Sequence, residues 1–226
     1  MTDKERVQGF SISDKSACLI GCGGLGCNVA VHLVGAGIGK LYLCDFDNVS
    51  ASNLNRQFLY TENDIGESKC LSAKRHLSKY SADTMLLAIE EKILSEEDLD
   101  FAKNCDIIIL AVDNTECRKV AESFCTENNI PLVCGGIDGF YGMCYLYIPG
   151  ESPCPDCASM NSGISAQYNI SAVAGVIGSL QSTLAIKFLL SNDRKLAGKI
   201  LVFDECNIDT LGIKPDPDCK ICNKIN

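Results

Sequence analysis

Residues 17–56 read ACLIGCGGLGCNVAVHLVGAGIGKLYLCDFDNVSASNLNR, and their order decides the fold. Ala17-Cys18-Leu19-Ile20 is a short, continuous apolar run, the pattern of a parallel strand buried on both faces. Gly21, Gly23 and Gly26 follow as G-x-G-x-x-G, with an extra glycine at Gly24. Such a turn lets the backbone approach a phosphate closely and presents the free N–H groups of the next helix to it. Leu25, Val29, Leu33 and Ala36 form the apolar stripe of that helix, and Gly37 and Gly39 end it. Lys40 to Cys44 is a second strand. Asp45 stands at its C-terminal end, nineteen residues after Gly26, where a carboxylate accepts the hydroxyls of a nucleotide ribose. Glycines alone are common in βα turns. Strand, glycine turn, helix, strand and spaced acid together point to a nucleotide, without saying which.

Outward from this unit, strands and helices continue to alternate. Residues 48–64 are a polar loop, and residues 66–80 have helical spacing through Leu71, Ala73 and Leu77. A third strand is expected at 84–89. Ser95-Glu96-Glu97-Asp98 opens a helix with acids in its first turn. Residues 106–112 (DIIILAV) are a buried strand ending at Asp113-Asn114, with a helix over 115–128. Another strand covers 131–134, broken by Gly135-Gly136, and 141–148 alternates as an antiparallel strand. A long apolar helix spans 171–190, a last strand 200–203, and the tail from Cys206 is a polar loop. This order predicts a Rossmann-like, doubly wound, mostly parallel sheet with an antiparallel extension, forming a single domain over residues 1–226.

Composition limits the function. The chain has 226 residues, a net charge of −9 and 46% hydrophobic residues, enough for one α/β core. A basic face for nucleic acid is not expected from such a charge. The polar start MTDKER is no signal peptide, and no apolar run is expected to span a membrane. Fifteen cysteines in a secreted chain would suggest disulfides. Here Cys18, Cys27, Cys44, Cys105 and Cys125 fall inside strands and helices as small apolar groups, so a reduced cytoplasm fits better.

Two CxxC pairs stand apart in proline-containing loops: Cys154 with Cys157, and Cys219 with Cys222. Four thiolates on two such turns suit a closed tetrahedral zinc that ties the tail to the rest of the chain. Redox pairs or coincidence are the alternatives. Between Asp45 and Lys69 lies Ser52-Asn53-Leu54-Asn55-Arg56-Gln57. A dehydrogenase has no need of an Asn, an Arg and a Lys beside its cofactor phosphates. Nucleotidyl transfer does, because charge builds on the α-phosphate and the departing pyrophosphate. Asp113, at the end of a central strand, is placed to hold Mg²⁺. The plainer reading makes Arg56 and Lys69 solvated charges and Asp113 a helix cap.

The combination GCGGLG, DFDNV, SNLNRQ, GESK, Asp113-Asn114 with Arg118, PLV and the two CxxC pairs resembles the ThiF/MoeB/HesA family, relatives of the ubiquitin-activating enzymes. The resemblance runs from about Ala17 to Cys222. It implies a dimeric enzyme that uses Mg-ATP to adenylate the C-terminal glycine of a small ubiquitin-like sulfur carrier. It places Gly24 at the phosphate turn, Asp45 at the ribose, and Ser52 to Arg56 along the nucleotide, with Asn53 and Arg56 at the phosphates. Lys69 joins them there, Asp113 takes magnesium, Asn114 bounds the pocket, and the four cysteines hold zinc. Two departures stand out. No cysteine occurs from Ala158 to Glu205, where covalent members carry one in a crossover loop. Near the N-terminus, Glu5-Arg6-Val7-Gln8 only partly matches the segment whose arginine reaches a partner's site. A peptide or tRNA-borne carboxylate is an alternative acceptor. An NAD(P)-dependent dehydrogenase and a non-catalytic nucleotide-binding relative are readings of another class.

Overall fold

A computed structural model describes residues 9–161 and 169–222. Its centre is one eight-stranded sheet in the order β3-β2-β1-β4-β5-β6-β7-β8. The strands are β1 (Ser16–Ile20), β2 (Lys40–Cys44), β3 (Met85–Ile89), β4 (Ile107–Leu110), β5 (Leu132–Asp138), β6 (Tyr141–Tyr147), β7 (Lys199–Asp204) and β8 (Asn207–Gly212). β1 to β5 pair in parallel, and β6, β7 and β8 add antiparallel strands beyond β5. Among the described residues four α-helices accompany them: α1 (Gly24–Ala36), α2 (Lys69–Leu77), α3 (Thr115–Asn128) and α4 (Ser171–Ser191). A 3₁₀ helix at Glu96–Ala102 stands where the acidic helix start was expected.

The period of two along β1 divides the core between the sheet's two faces. Ala17 and Leu19 pack with residues of α1, α2 and α4, whereas Cys18 and Ile20 pack with α3 and the 3₁₀ helix. The parallel strands are therefore covered on both sides, which explains their continuous apolar runs. β1 lies between β2 and β4, so the chain reverses its direction of travel across the sheet there. The crevice at the C-terminal ends of β1 and β4 is the place where a doubly wound sheet can hold a ligand.

Four expectations are corrected. Gly135-Gly136 does not break β5, which continues to Asp138. A Cβ at Gly135 would lie 2.3 Å from Cδ of Gln181 on α4, so that glycine admits a close helix rather than ending a strand. Leu71 is 47% exposed, and α2 buries Cys70, Ala73 and Leu77 instead. The tail is not all loop, because β8 pairs with β7 from Asn207 to Gly212. Its turn residues Glu205 and Cys206 adopt φ of 43° and 77° without glycine. Finally, α4 does reach the length and hydropathy of a membrane span, with 21 residues and a mean hydropathy of 1.6. Half of that window is buried inside the molecule, as in the core helix of a folded domain.

Candidate functional site

The crevice opens into a cleft of about 550 Å³, within the size range of small-molecule sites. Gly21 turns the chain out of β1 with φ of +94°, where a Cβ would lie 2.7 Å from the Ala111 carbonyl oxygen. At Gly26 a Cβ would come within 1.9 Å of the Gly21 oxygen. The turn thus exists only with glycine at both positions. Gly23 is the N-cap of α1 and supplies no side-chain cap, and the first turn carries no acid. The helix therefore offers uncapped N–H groups and its positive dipole end to an anion in the cleft.

Asp45 braces this turn. One carboxylate oxygen accepts from Cys22 N at 2.7 Å and the other from Asp47 N at 2.8 Å. The Tyr60 hydroxyl donates to the Cys22 carbonyl at 2.8 Å from the other side. Burial raises the Asp45 pKa above the ordinary carboxylate value, against the two N–H groups that favour its charge. Each oxygen keeps acceptor capacity beyond its one backbone donor.

Three cationic or acidic groups face the turn. Lys69 is buried to 7% exposure, and its Nζ pairs with Asp47 at 2.9 Å. The Lys69 amide also donates to the Asp47 carbonyl at 2.9 Å, so the lysine is fixed against the loop that follows Asp45. Arg56 extends beside Gly24, and its Nη1 donates to the Ser52 carbonyl at 3.3 Å and to Asn55 Oδ1 at 3.0 Å. Asp113 is an exposed carboxylate on the cleft rim. Gln57 is buried to 3% exposure, and its Oε1 has no hydrogen-bond partner among the described residues.

The cleft brings together most of the residues expected there: Gly21, Gly23, Gly24, Asp45, Asn53, Arg56, Gln57, Lys69, Asp113 and Asn114. It does not bring in Ser52, Leu54 or Asn55 as lining residues. Ser52 and Asn55 act one step back, by accepting from Arg56, while Leu54 packs against the core. Asn114, rather than Asp113, caps α3, with Oδ1 accepting from Glu116 N at 2.8 Å and Cys117 N at 3.1 Å.

Sequence reading missed Phe46, Glu91 and Lys92, which also line the cleft. Lys92 Nζ sits 5.4 Å from the Phe46 ring centroid. Phe46 lies two residues past the end of β2 and Lys92 three past the end of β3, and that position alone could have flagged them. Arg118 was quoted only as part of a motif. It is buried and donates to three carbonyls, of Met160, Val112 and Gly135. The Cys117 thiol lines the cleft as well, and burial pushes its pKa up to about 11, so it is a poor nucleophile there.

The two CxxC pairs meet away from the cleft. The four Sγ atoms lie within 4.8 Å of one another. Cys154 and Cys219 are 3.5 Å apart, and Cys157 and Cys222 are 3.7 Å apart. The edge of a tetrahedron with metal–sulfur bonds of about 2.3 Å is about 3.8 Å, so the spacing fits zinc. Each sulfur accepts from one backbone N–H: Cys154 from Cys157, Cys157 from Asp216, Cys219 from Cys222, and Cys222 from Cys154. Such donors favour thiolates. Arg6 and the crossover residues 162–168 lie outside the described residues.

The family description ThiF family matches residues 8–222. The chain is 31% identical to the molybdopterin-synthase adenylyltransferase of Escherichia coli, covering 95% of this chain and 89% of that protein. It is 32% identical to the sulfur carrier protein ThiS adenylyltransferase of the same organism, covering 94% of this chain and 88% of that protein. The adenylyltransferase and sulfurtransferase MOCS3 of Anopheles gambiae is also 32% identical over 96% of this chain. The chain spans about half the length of that relative, 52%. Among solved structures, E. coli MccB with ATP superposes with a TM-score of 0.83 at 26% identity, over 93% of this chain and 67% of that one.

Proposed function

We propose, from the premise that this chain belongs to the ThiF family, that its cleft binds Mg-ATP and adenylates the C-terminal carboxylate of a small ubiquitin-like sulfur carrier. The observation that carries this reading is the convergence of Arg56, Lys69 and Asp113 on the uncapped glycine turn braced by Asp45. A hydride-transfer site needs no such set of charges at its phosphates.

In the reaction, a carboxylate oxygen of the acceptor attacks the α-phosphorus of ATP. The new bond is acyl O–P, the bond that breaks is P–O to pyrophosphate, and the electron pair leaves with pyrophosphate. The chain supplies no nucleophile, only alignment and charge neutralisation. Asp45 accepts the ribose hydroxyls. The α1 N–H groups and Asn53 hold phosphate oxygens. Arg56 and Lys69 oppose the charge that grows on the transferred and leaving phosphates. For Lys69 this means exchanging Asp47, its partner at 2.9 Å, for phosphate. Asp113 would hold magnesium, which supplies further neutralisation of phosphate charge when bound.

Zinc at the four cysteines is structural in this proposal, since all four positions are filled by protein. The whole chain acts as a single adenylation domain. The family resemblance adds a homodimer and a cytoplasmic setting to the proposal. Because no thiol occurs between Ala158 and Glu205, the acyl-adenylate passes to a separate sulfur donor rather than to this chain. Pyrophosphate exchange into ATP tests the reading, run with a sulfur carrier ending in glycine and, as a second acceptor class, with a short peptide. Exchange with the peptide alone would assign the activity to that second class.

A further inference from the structure

We propose that Arg118 and Glu122 are positioning residues that couple the four-cysteine centre to the nucleotide cleft, so that each site strengthens the other. The proposal rests on the zinc and nucleotide readings above and goes beyond both. A structural zinc site far from the chemistry would ordinarily add stability alone. Here one helix touches both places.

Arg118 and Glu122 lie four residues apart on α3, on the same side of the helix, and are exposed by only 7% and 0%. The Arg118 guanidinium gathers three carbonyls: Val112, immediately before Asp113, Gly135 in the cleft wall, and Met160. Glu122 takes the other end of the same short segment. Its carboxylate accepts from Asp156 N at 3.1 Å and from the Asn161 amide. Asp156 sits between the zinc ligands Cys154 and Cys157, and Met160 is a lining residue of the cleft.

Segment 156–161 is thus held at three points by two side chains of α3. At one end it is closed by the Cys154, Cys157, Cys219 and Cys222 cluster, and at the other it forms part of the nucleotide wall. Releasing the cluster frees Asp156 and, with it, Asn161 and the Met160 carbonyl. Arg118 then keeps two of its three acceptors, Val112 and Gly135, and the wall that presents Asp113 loses its outer support. A buried guanidinium short of an acceptor is costly, so the closed cluster and the ordered cleft favour each other. Linkage makes the effect reciprocal: nucleotide must tighten metal by the factor by which metal tightens nucleotide.

The test measures zinc affinity by competition with a chromogenic chelator, with and without saturating Mg-ATP in excess magnesium and with no acceptor present. It starts from the zinc-loaded protein, so it needs no folded metal-free form. Elemental analysis and ATP calorimetry come first. A protein without zinc contradicts the metal reading, and one that does not bind ATP contradicts the nucleotide reading; either result removes this proposal with it. With both ligands bound, Mg-ATP is expected to raise zinc affinity about tenfold in the wild type, within the usual range of coupling between sites. Glu122→Gln keeps the shape of the side chain but turns an amide NH2 toward one of its donors, and should reduce the factor to about twofold or less. Asn161→Ala, a milder change, should do the same while retaining one zinc. Zinc affinity indifferent to Mg-ATP in the wild type, or a tenfold effect that survives in both variants, overturns the proposal and leaves the two site readings standing.

Discussion

Asp45 has two tasks that its sequence position shows only in part. Its place at the end of β2 is the one expected of a ribose acid; its bonds to Cys22 N and Asp47 N show that it also holds the glycine turn in shape. Asp45→Ala should therefore weaken Mg-ATP binding by about 1–3 kcal/mol, the cost of leaving donors without their acceptor. Calorimetry on protein shown by thermal melting to be folded checks this. Tight NADH binding with no Mg-ATP binding would instead favour a dehydrogenase. Residue by residue, the places of Gly21, Gly23, Gly24, Asp45, Arg56, Lys69 and Asp113 in the cleft were legible because each belongs to a spaced pattern. Ser52, Leu54 and Asn55 do not line the cleft, since spacing names a loop but not which of its side chains turn inward. Phe46 was quoted only inside DFDNV, with no role of its own, and Lys92 belongs to no motif. Only the fold brings the ends of β2 and β3 side by side.

At the scale of elements, the loop between β2 and α2 must be rigid for Lys69 and Arg56 to converge. Asp64 supplies that rigidity. It is 1% exposed and accepts from Thr61 N at 2.6 Å, from the Thr61 hydroxyl at 2.8 Å, and from Arg75 and His76 of α2. Burial pushes its pKa up, but the Thr61 amide, His76, the Thr61 hydroxyl and Arg75 together outweigh it and hold the carboxyl well below its usual range. A depressed folded-state pKa contributes stability that is complete above the unfolded carboxylate value, near pH 4, and is lost as pH falls toward the folded value. Asp64→Asn should cost about 2–4 kcal/mol near neutral pH. The difference from wild type should shrink below about pH 4, as read from melting curves across that range. The cysteine-bearing tail is the second such element. Cys219→Ser should lower zinc from one per chain and lower the melting temperature together; a metal-free protein of full stability would contradict the assignment. Both CxxC pairs were plain in the sequence, as were β1, β2, α1 and α3. β8 was not, because an exposed edge strand needs no apolar run and its turn uses Glu205 and Cys206 in place of glycine.

For the whole molecule, the parallel half of the sheet builds the cleft and the antiparallel half carries the chain on to the cysteine cluster. The doubly wound architecture was legible because strands buried on both faces write continuous apolar runs. The route by which α3 joins cleft and cluster was not, since its contacts with residues 156–161 arise only after folding. The absent crossover thiol has a consequence at this scale. Cys206, exposed on the β7–β8 hairpin, lies on a different segment, and the thiols of Cys44 and Cys117 in the cleft are raised by burial. Enzyme incubated with Mg-ATP and a sulfur carrier should show no covalent adduct by intact mass under non-reducing conditions. An adduct lost on reduction and on mutation of one cysteine would contradict that. The central claim is adenylation itself, and acceptor-dependent exchange of labelled pyrophosphate into ATP measures it most directly. The account predicts exchange with a sulfur carrier ending in glycine, reduced about 100-fold or more by Arg56→Ala or Lys69→Ala and unchanged by Cys206→Ala. No exchange with any carboxylate acceptor by folded, zinc-loaded, ATP-binding protein would contradict it.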